Sequence, residues 1–249
     1  PDLVGLVDGL RDATLVAHPR EATPHGLRRL KDHAEVEHPT YVHLVHPAMQ
    51  GGVFTLSTPA PTYEDTDRES LLNYLAALTY SGHGPHGLFM QTWAAGLAYS
   101  NGARPDVATG RMRYYAERCP ELPQTLSFVV DVMKDAEVDA PIAEYALAMA
   151  FRTRSAGSYE SRGAAMANDL DELRGPDVVR GFREAILALR HDPELPRLLT
   201  ERVPAVYGAV LPGLGQPSAQ VEGGVFFTIG PEPQRALLET WLRSVEGED

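Results

Sequence analysis

The sequence predicts an α+β domain, a mostly antiparallel sheet packed on one face by helices. Strand-like runs stand near both ends, at residues 41–46, 52–57 and 224–229, and do not alternate with helices as a doubly wound sheet requires. The long middle carries apolar residues at helical spacing. No fixed-period repeat runs through the chain, which sets solenoids and propellers aside.

Residues 1–38 read as an N-terminal linker or extension, and residues 39–249 as the domain proper. In the extension, residues 3–10 suit a short helix and residues 14–16 a short strand. Residues 26–36 carry Arg28, Arg29, Lys31, Asp32, His33 and Glu35 and read as exposed. In the domain, the first two strands are rich in β-branched and aromatic residues and bounded by Pro and Gly. Thr66-Asp67-Arg68-Glu69 fits a capping box, with Thr66 at the cap and Glu69 reaching back. Leu71, Leu75 and Leu78 then repeat as one helix face. The turn Gly82-His83-Gly84-Pro85-His86-Gly87 reverses the chain into a second helix. A strand ending Tyr114-Tyr115-Ala116 follows.

After Pro120, Leu122, Leu126, Val129, Val130 and Met133 mark an amphipathic helix. Pro141 opens another through Phe151. Val179, Phe182, Ile186 and Leu189 mark a further one, which should stop before Pro193, with Pro196 and Pro204 interrupting what comes next. Residues 212–220 read as a Gly/Pro/Ser loop. The strand at 224–229 leads through Pro231-Glu232-Pro233 into a last helix carrying Leu237, Leu238, Trp241 and Leu242.

Composition narrows the function. The 249 residues are 43% hydrophobic, enough for a proper core. The net charge of −12 argues against nucleic acid, which needs clustered Lys and Arg, and favours basic or neutral peptides as partners. A single cysteine, Cys119, permits neither an internal disulfide nor a cysteine-rich zinc site, and it fits a reducing cytoplasm, the expected location. No run of about 18 apolar residues exists, so no membrane partner is expected. The opening Pro1-Asp2-Leu3 carries neither Met nor a signal segment, and the chain is read as a fragment or processed product.

Motifs that carry chemistry are incomplete. His33 and His38 are five apart, which separates them by about 140° around a helix, against the four-residue spacing of a zinc-binding His-x-x-Glu-His. His43 and His46 alternate across a strand. His83 and His86 share a turn and could meet, but no third ligand accompanies them. The G-x-G-x-x-G of the same turn follows a helix, whereas a dinucleotide fingerprint follows a strand. Ser100 has Gly102 after it but Ala98 before it, so the G-x-S-x-G elbow is broken. Cys119 reads as a packing residue.

The order from Gly82 to Ala136 is a Gly-rich turn, a helix, Gly96-Leu97-Ala98-Tyr99-Ser100, a strand and an amphipathic helix. It resembles the second, non-catalytic half of the pitrilysin/insulinase family of zinc metallopeptidases, over a span from about Tyr41 to the C-terminus. In that half an Arg and, seven residues later, a Tyr reach across and hydrogen-bond the substrate backbone. The resemblance gives the Tyr role to Tyr99, with Ser100 and Asn101 beside it as substrate-binding residues. Thr92 stands at the Arg position. The segment matching the family's zinc helix, Glu69-Ser70-Leu71-Leu72-Asn73-Tyr74-Leu75, has no His. No residue is assigned as catalytic or as a metal ligand, and no cofactor is expected in this chain.

The resemblance therefore implies the substrate-receiving half of a peptidase-like assembly. A homologous half, in the same precursor or a separate chain, would carry the zinc and complete a chamber for peptides. The alternative is an inactive scaffold or protein-binding module, as the core proteins of respiratory cytochrome complexes are. An unrelated α+β hydrolase or ligand-binding domain is the third reading, and Tyr99 as a packed aromatic is the plain account of that residue.

Overall fold

The computed structural model describes residues 40–152, 158–171, 174–214 and 224–246. The readings made for residues 1–38, including the His33–His38 stretch, lie outside them. Five strands form one sheet: β1 (Thr40–Val45), β2 (Gly52–Pro59), β3 (Ser100–Asp106), β4 (Arg111–Cys119) and β5 (Val225–Gly230). The order is β1-β5-β2-β4-β3. β1 runs parallel to β5, and every other neighbouring pair is antiparallel. The α+β expectation of a mostly antiparallel sheet holds.

Alternation along the strands separates two faces. Phe54, Leu56, Met112, Tyr114, Ala116 and Phe226 are buried on one side. The Phe54 ring lies 6.3 Å from that of Tyr114 and 6.4 Å from that of Phe226. Helix α1 (Arg68–Thr79) packs its Leu71, Leu72, Tyr74 and Leu75 in this core. The short helix α2 (Leu88–Ala94), α3 (Leu122–Lys134) and α8 (Glu232–Glu246) also contact strands. Behind α1 stand α4 (Ala140–Arg152), α6 (Pro176–Leu189) and α7 (Leu195–Gly208). Tyrosine hydroxyls tie the layers: Tyr207, buried, donates to Ala77 O at 2.9 Å and the half-buried Tyr145 to Ser81 O at 2.7 Å. Phe182 of α6 sets its ring edge-on to Tyr63 and Tyr74.

Four local expectations change. Asp67 caps α1, its carboxylate accepting the Ser70 N–H at 3.0 Å, so the capping residue lies one position beyond Thr66. The single strand expected before Tyr115 is a hairpin, β3 and β4 joined across Gly110, whose φ is +62°. Pro204 lies inside α7 and does not end it. Burial of Leu199, Val203 and Tyr207 along one side holds that helix through the missing hydrogen bond, while Pro196 falls in the first turn, where its absent N–H is not needed. Helix α5 (Tyr159–Asp171) was not anticipated; Tyr159 and Met166 are exposed, and no apolar stripe announces it.

One side chain binds the two ends of the sheet's helical cover together. Glu121 gives α3 no side-chain cap. Instead Gln234 of α8, itself buried, accepts the Leu122 N–H at 3.1 Å and donates to Pro120 O. Gln234→Leu would bury both backbone groups without partners, each costing about 1–3 kcal/mol. Urea unfolding should register a loss of about 2–4 kcal/mol. A change within 0.5 kcal/mol, roughly that of an ordinary surface substitution, would show that the tie has no structural role.

Candidate functional site

The chain leaves α2 through a glycine turn. Gly96 has φ +70°, its N–H bonds Trp93 O at 3.0 Å, and the Leu97 N–H bonds Thr92 O at 3.0 Å. This is the Schellman arrangement, which needs a left-handed residue at Gly96. Leu97 O then accepts the Thr125 hydroxyl at 3.0 Å, fixing the turn on α3. Ala98 is buried, and Ser100 enters β3 opposite Glu117. Tyr99, between two fixed points, is 65% exposed.

A cation comes to Tyr99 from β4. The pairing register between β2 and β4 shifts between Gly52 and Phe54, so the β4 segment from Ala116 to Cys119 holds one residue more than its β2 partner. Arg118 falls in this bulge with φ +53°, rare for a residue with a side chain. Its guanidinium lies 4.7 Å from the centre of the Tyr99 ring. Nothing in the sequence pattern reveals this pair, because neither the bulge nor the left-handed arginine is marked by a glycine.

The neighbours of Tyr99 differ in access. Ser100 is half-buried. Asn101 is 1% exposed; its amide donates to the Thr92 hydroxyl, which itself donates to Leu88 O at 2.7 Å. Thr92, at the position where the resemblance has an arginine, therefore points into the domain and ties α2 to β3.

The open face of the sheet begins at Ser100, the residue after Tyr99. Val53, Thr55, Ser57, Tyr115, Phe227 and Ile229 are half-buried there, and Arg113, Glu117, Val42 and Leu44 are exposed. Register aligns Val42, Phe227, Thr55, Tyr115 and Gly102 in one row across all five strands. The β1 side of this face is apolar: Val42 and Leu44 are 37% and 50% exposed.

The other candidates serve the fold. His86 bonds Thr79 O at 2.9 Å and sets its ring edge-on to Tyr145, while the His83 ring lies 4.8 Å from Phe89. The Gly-rich turn thus connects α1 and α2. Glu69, in the segment that matches the zinc helix, is paired by Arg202 at 2.7 and 2.8 Å. Burial pushes the Cys119 thiol up to about 11, which keeps it protonated. Among the described residues, no three His, Cys, Asp or Glu side chains gather where they could hold a metal ion. No described helix is long and apolar enough to cross a membrane.

No protein-family profile and no curated protein matches the sequence. Solved structures do match the fold. A peptidase M16 inactive domain from Pseudomonas fluorescens superposes with TM-score 0.50 and 16% identity, over 80% of this chain and 45% of that one. This chain has the fold of an M16 peptidase inactive domain. A protease from Helicobacter pylori matches with TM-score 0.53 and 10% identity, over 78% of this chain and 44% of that one. A chain of complex III from Candida albicans matches with TM-score 0.55 and 11% identity, over 83% and 49% respectively. The sequence thus spans less than half the length of each of these three chains.

The inward Thr92 gives a direct test. Thr92→Val removes the acceptor of the buried Asn101 amide and should cost about 1–3 kcal/mol in chemical denaturation. Thr92→Arg should cost more, because the guanidinium would enter the core without a partner. An arginine tolerated at this position would show that the side chain can turn outward and that the site differs from the one described.

Proposed function

We propose that this chain is the non-catalytic, peptide-receiving half of a zinc metallopeptidase-like assembly, paired with a homologous half that holds the zinc. The observation that carries the reading is the open sheet face, bordered by Tyr99, on a fold shared with an M16 inactive domain. A domain complete in itself has little reason to leave Val42, Leu44, Phe227 and Ile229 in contact with water; a wall of a shared chamber has. In this reading the apolar β1 side meets the partner half or the apolar side chains of a peptide. The Tyr99 hydroxyl donates to a peptide carbonyl, and Arg118 holds the ring in place while adding positive charge. Ser100 lies next to Tyr99 with a hydroxyl that can join the same contact, whereas Asn101 acts from behind, keeping β3 on α2. The zinc of the partner half would activate water; this chain's residues bind and orient.

The second reading is an inactive scaffold. It is favoured by Thr92 in place of the arginine and by the likeness to a chain of complex III. The two readings separate in one experiment on the complete assembly. Tyr99→Phe keeps the ring and its stacking on Arg118 but removes the donor. Peptide turnover should fall by about 10²–10³, as losing one transition-state donor typically does, with the melting temperature nearly unchanged. Turnover equal to the parent's would remove Tyr99 from the chemistry. An assembly that cleaves no peptide at all would leave the scaffold reading standing.

A further inference from the structure

The open face is not uniformly apolar. At its β3–β4 side stand Arg104, Arg111 and Arg113, in a chain whose net charge is −12. Arg104 and Arg113 are directly opposite in register. Such neighbours hold their Cβ atoms about 4.5–5.5 Å apart, and like charges there repel. Arg111, two residues along β4, shares the face by strand alternation. Two of the three are held in place by neighbours on the sheet. Arg111 donates to Ser57 Oγ at 3.0 Å and to Ser57 O at 2.9 Å. Arg104 donates to the Tyr115 hydroxyl at 3.0 Å, its guanidinium lying 4.3 Å from the centre of that ring. Arg113 is exposed and makes no hydrogen bond or ion pair with another described residue. Two carboxylates stand near, Glu117 on the same strand and Asp106 opposite Arg111; Asp106 accepts the Ala108 N–H at 3.0 Å. Burial and the charge of Arg113 lower the pKa of Arg111, so the cations feel one another.

We propose that Arg104 and Arg113 form an anion subsite on the open face that selects peptides carrying an acidic side chain. The proposal rests on the peptide-receiving reading and gives it a substrate class. Among the described residues no carboxylate pairs with Arg104 or Arg113, and a carboxylate placed between them relieves their repulsion. Two guanidinium forks suit the two oxygens of a carboxylate. Room is present: a cleft of about 340 Å³ is lined by Gly102, Arg104, Asp106, Arg113 and Tyr115, together with His83 and Met149, and the Asp106 carboxylate in it is engaged by the Ala108 N–H. Gly102 places no side chain between the incoming group and Tyr115. The net charge favours basic peptides at long range, but the contact charge at this end of the sheet is the opposite. The outer edge of β3 has no strand beside it among the described residues, so an extended segment can reach the cleft from that side.

Fluorescence anisotropy with the full 249-residue chain tests this. The probes are two fluorescein-labelled, C-terminally amidated octapeptides, Thr-Val-Thr-Glu-Val-Thr-Val-Thr and its Glu-to-Gln counterpart. The Glu peptide should bind about tenfold more tightly, as a charge-assisted hydrogen bond supports, and the preference should shrink between 50 and 500 mM salt. Arg113→Met should abolish the preference while leaving Gln-peptide affinity within about twofold, and Arg113→Lys should keep part of it. Without ligand, Arg113→Met should melt at the same or a higher temperature, since it removes a repulsion. Equal affinity for both peptides would overturn the subsite while leaving peptide reception intact. Binding of neither would overturn both. A Gln peptide that binds tightly only with a free C-terminus would replace the acidic side chain with a terminal carboxylate, and the proposal would fail.

Discussion

β5 enters the sheet between β1 and β2, so a segment near the C-terminus completes what the start of the domain begins. The sheet cannot close until both ends of the domain have arrived, and every other feature is referred to that closure. Phe226 of β5 completes the aromatic cluster with Phe54 and Tyr114. Gln234 of α8, four residues beyond β5, caps α3 and so fixes the exit of β4. The same insertion puts Phe227 and Ile229 in the middle of the opposite face. A parallel β1–β5 pair inside an otherwise antiparallel sheet is the consequence of bringing the last strand back beside the first.

Strand alternation then divides the labour. One face is sealed by helices, and its polar groups are used for cohesion: Thr92 with Asn101, Tyr207 with Ala77, Gln234 with α3. The other face keeps half-exposed apolar side chains at the β1 side and cations with aromatic rings at the β3 side. Tyr99 stands at the border, where the chain passes from a helix to an edge strand. It is held there by the Gly96 turn on one side and the Ser100–Glu117 pair on the other. Its exposure follows from that position, and Arg118 reaches it only because a bulge lets β4 adopt one left-handed residue. The backbone departure at Arg118 is the single non-glycine positive φ among the described residues, and it stands beside the candidate site.

Much of this was legible in the sequence. The β-branched runs at β1, β2 and β5 and the leucine spacing of α1 and α3 are direct readings of side-chain period. β3 was not legible, because Ser-Asn-Gly-Ala-Arg-Pro-Asp is poor in strand formers. It exists through pairing with β4 and through Asn101, and as an edge strand it tolerates Pro105. α5 has no apolar stripe to announce it, and α7 continues past Pro204 because tertiary burial overrides the proline. Only the resemblance points to Tyr99. The arginine subsite was hidden, since Arg104 and Arg113 are nine residues apart and only the hairpin register sets them face to face.

The central claim is that the uncovered sheet face, not the helical side, receives the peptide. Backbone amide chemical shifts of the isotope-labelled chain, followed during titration with the Glu octapeptide, test it most directly. The account predicts the largest changes at Thr55, Tyr99, Gly102, Arg113 and Tyr115, with α6 and α7 unmoved. Changes confined to α6 and α7, with the sheet amides unchanged, would contradict it.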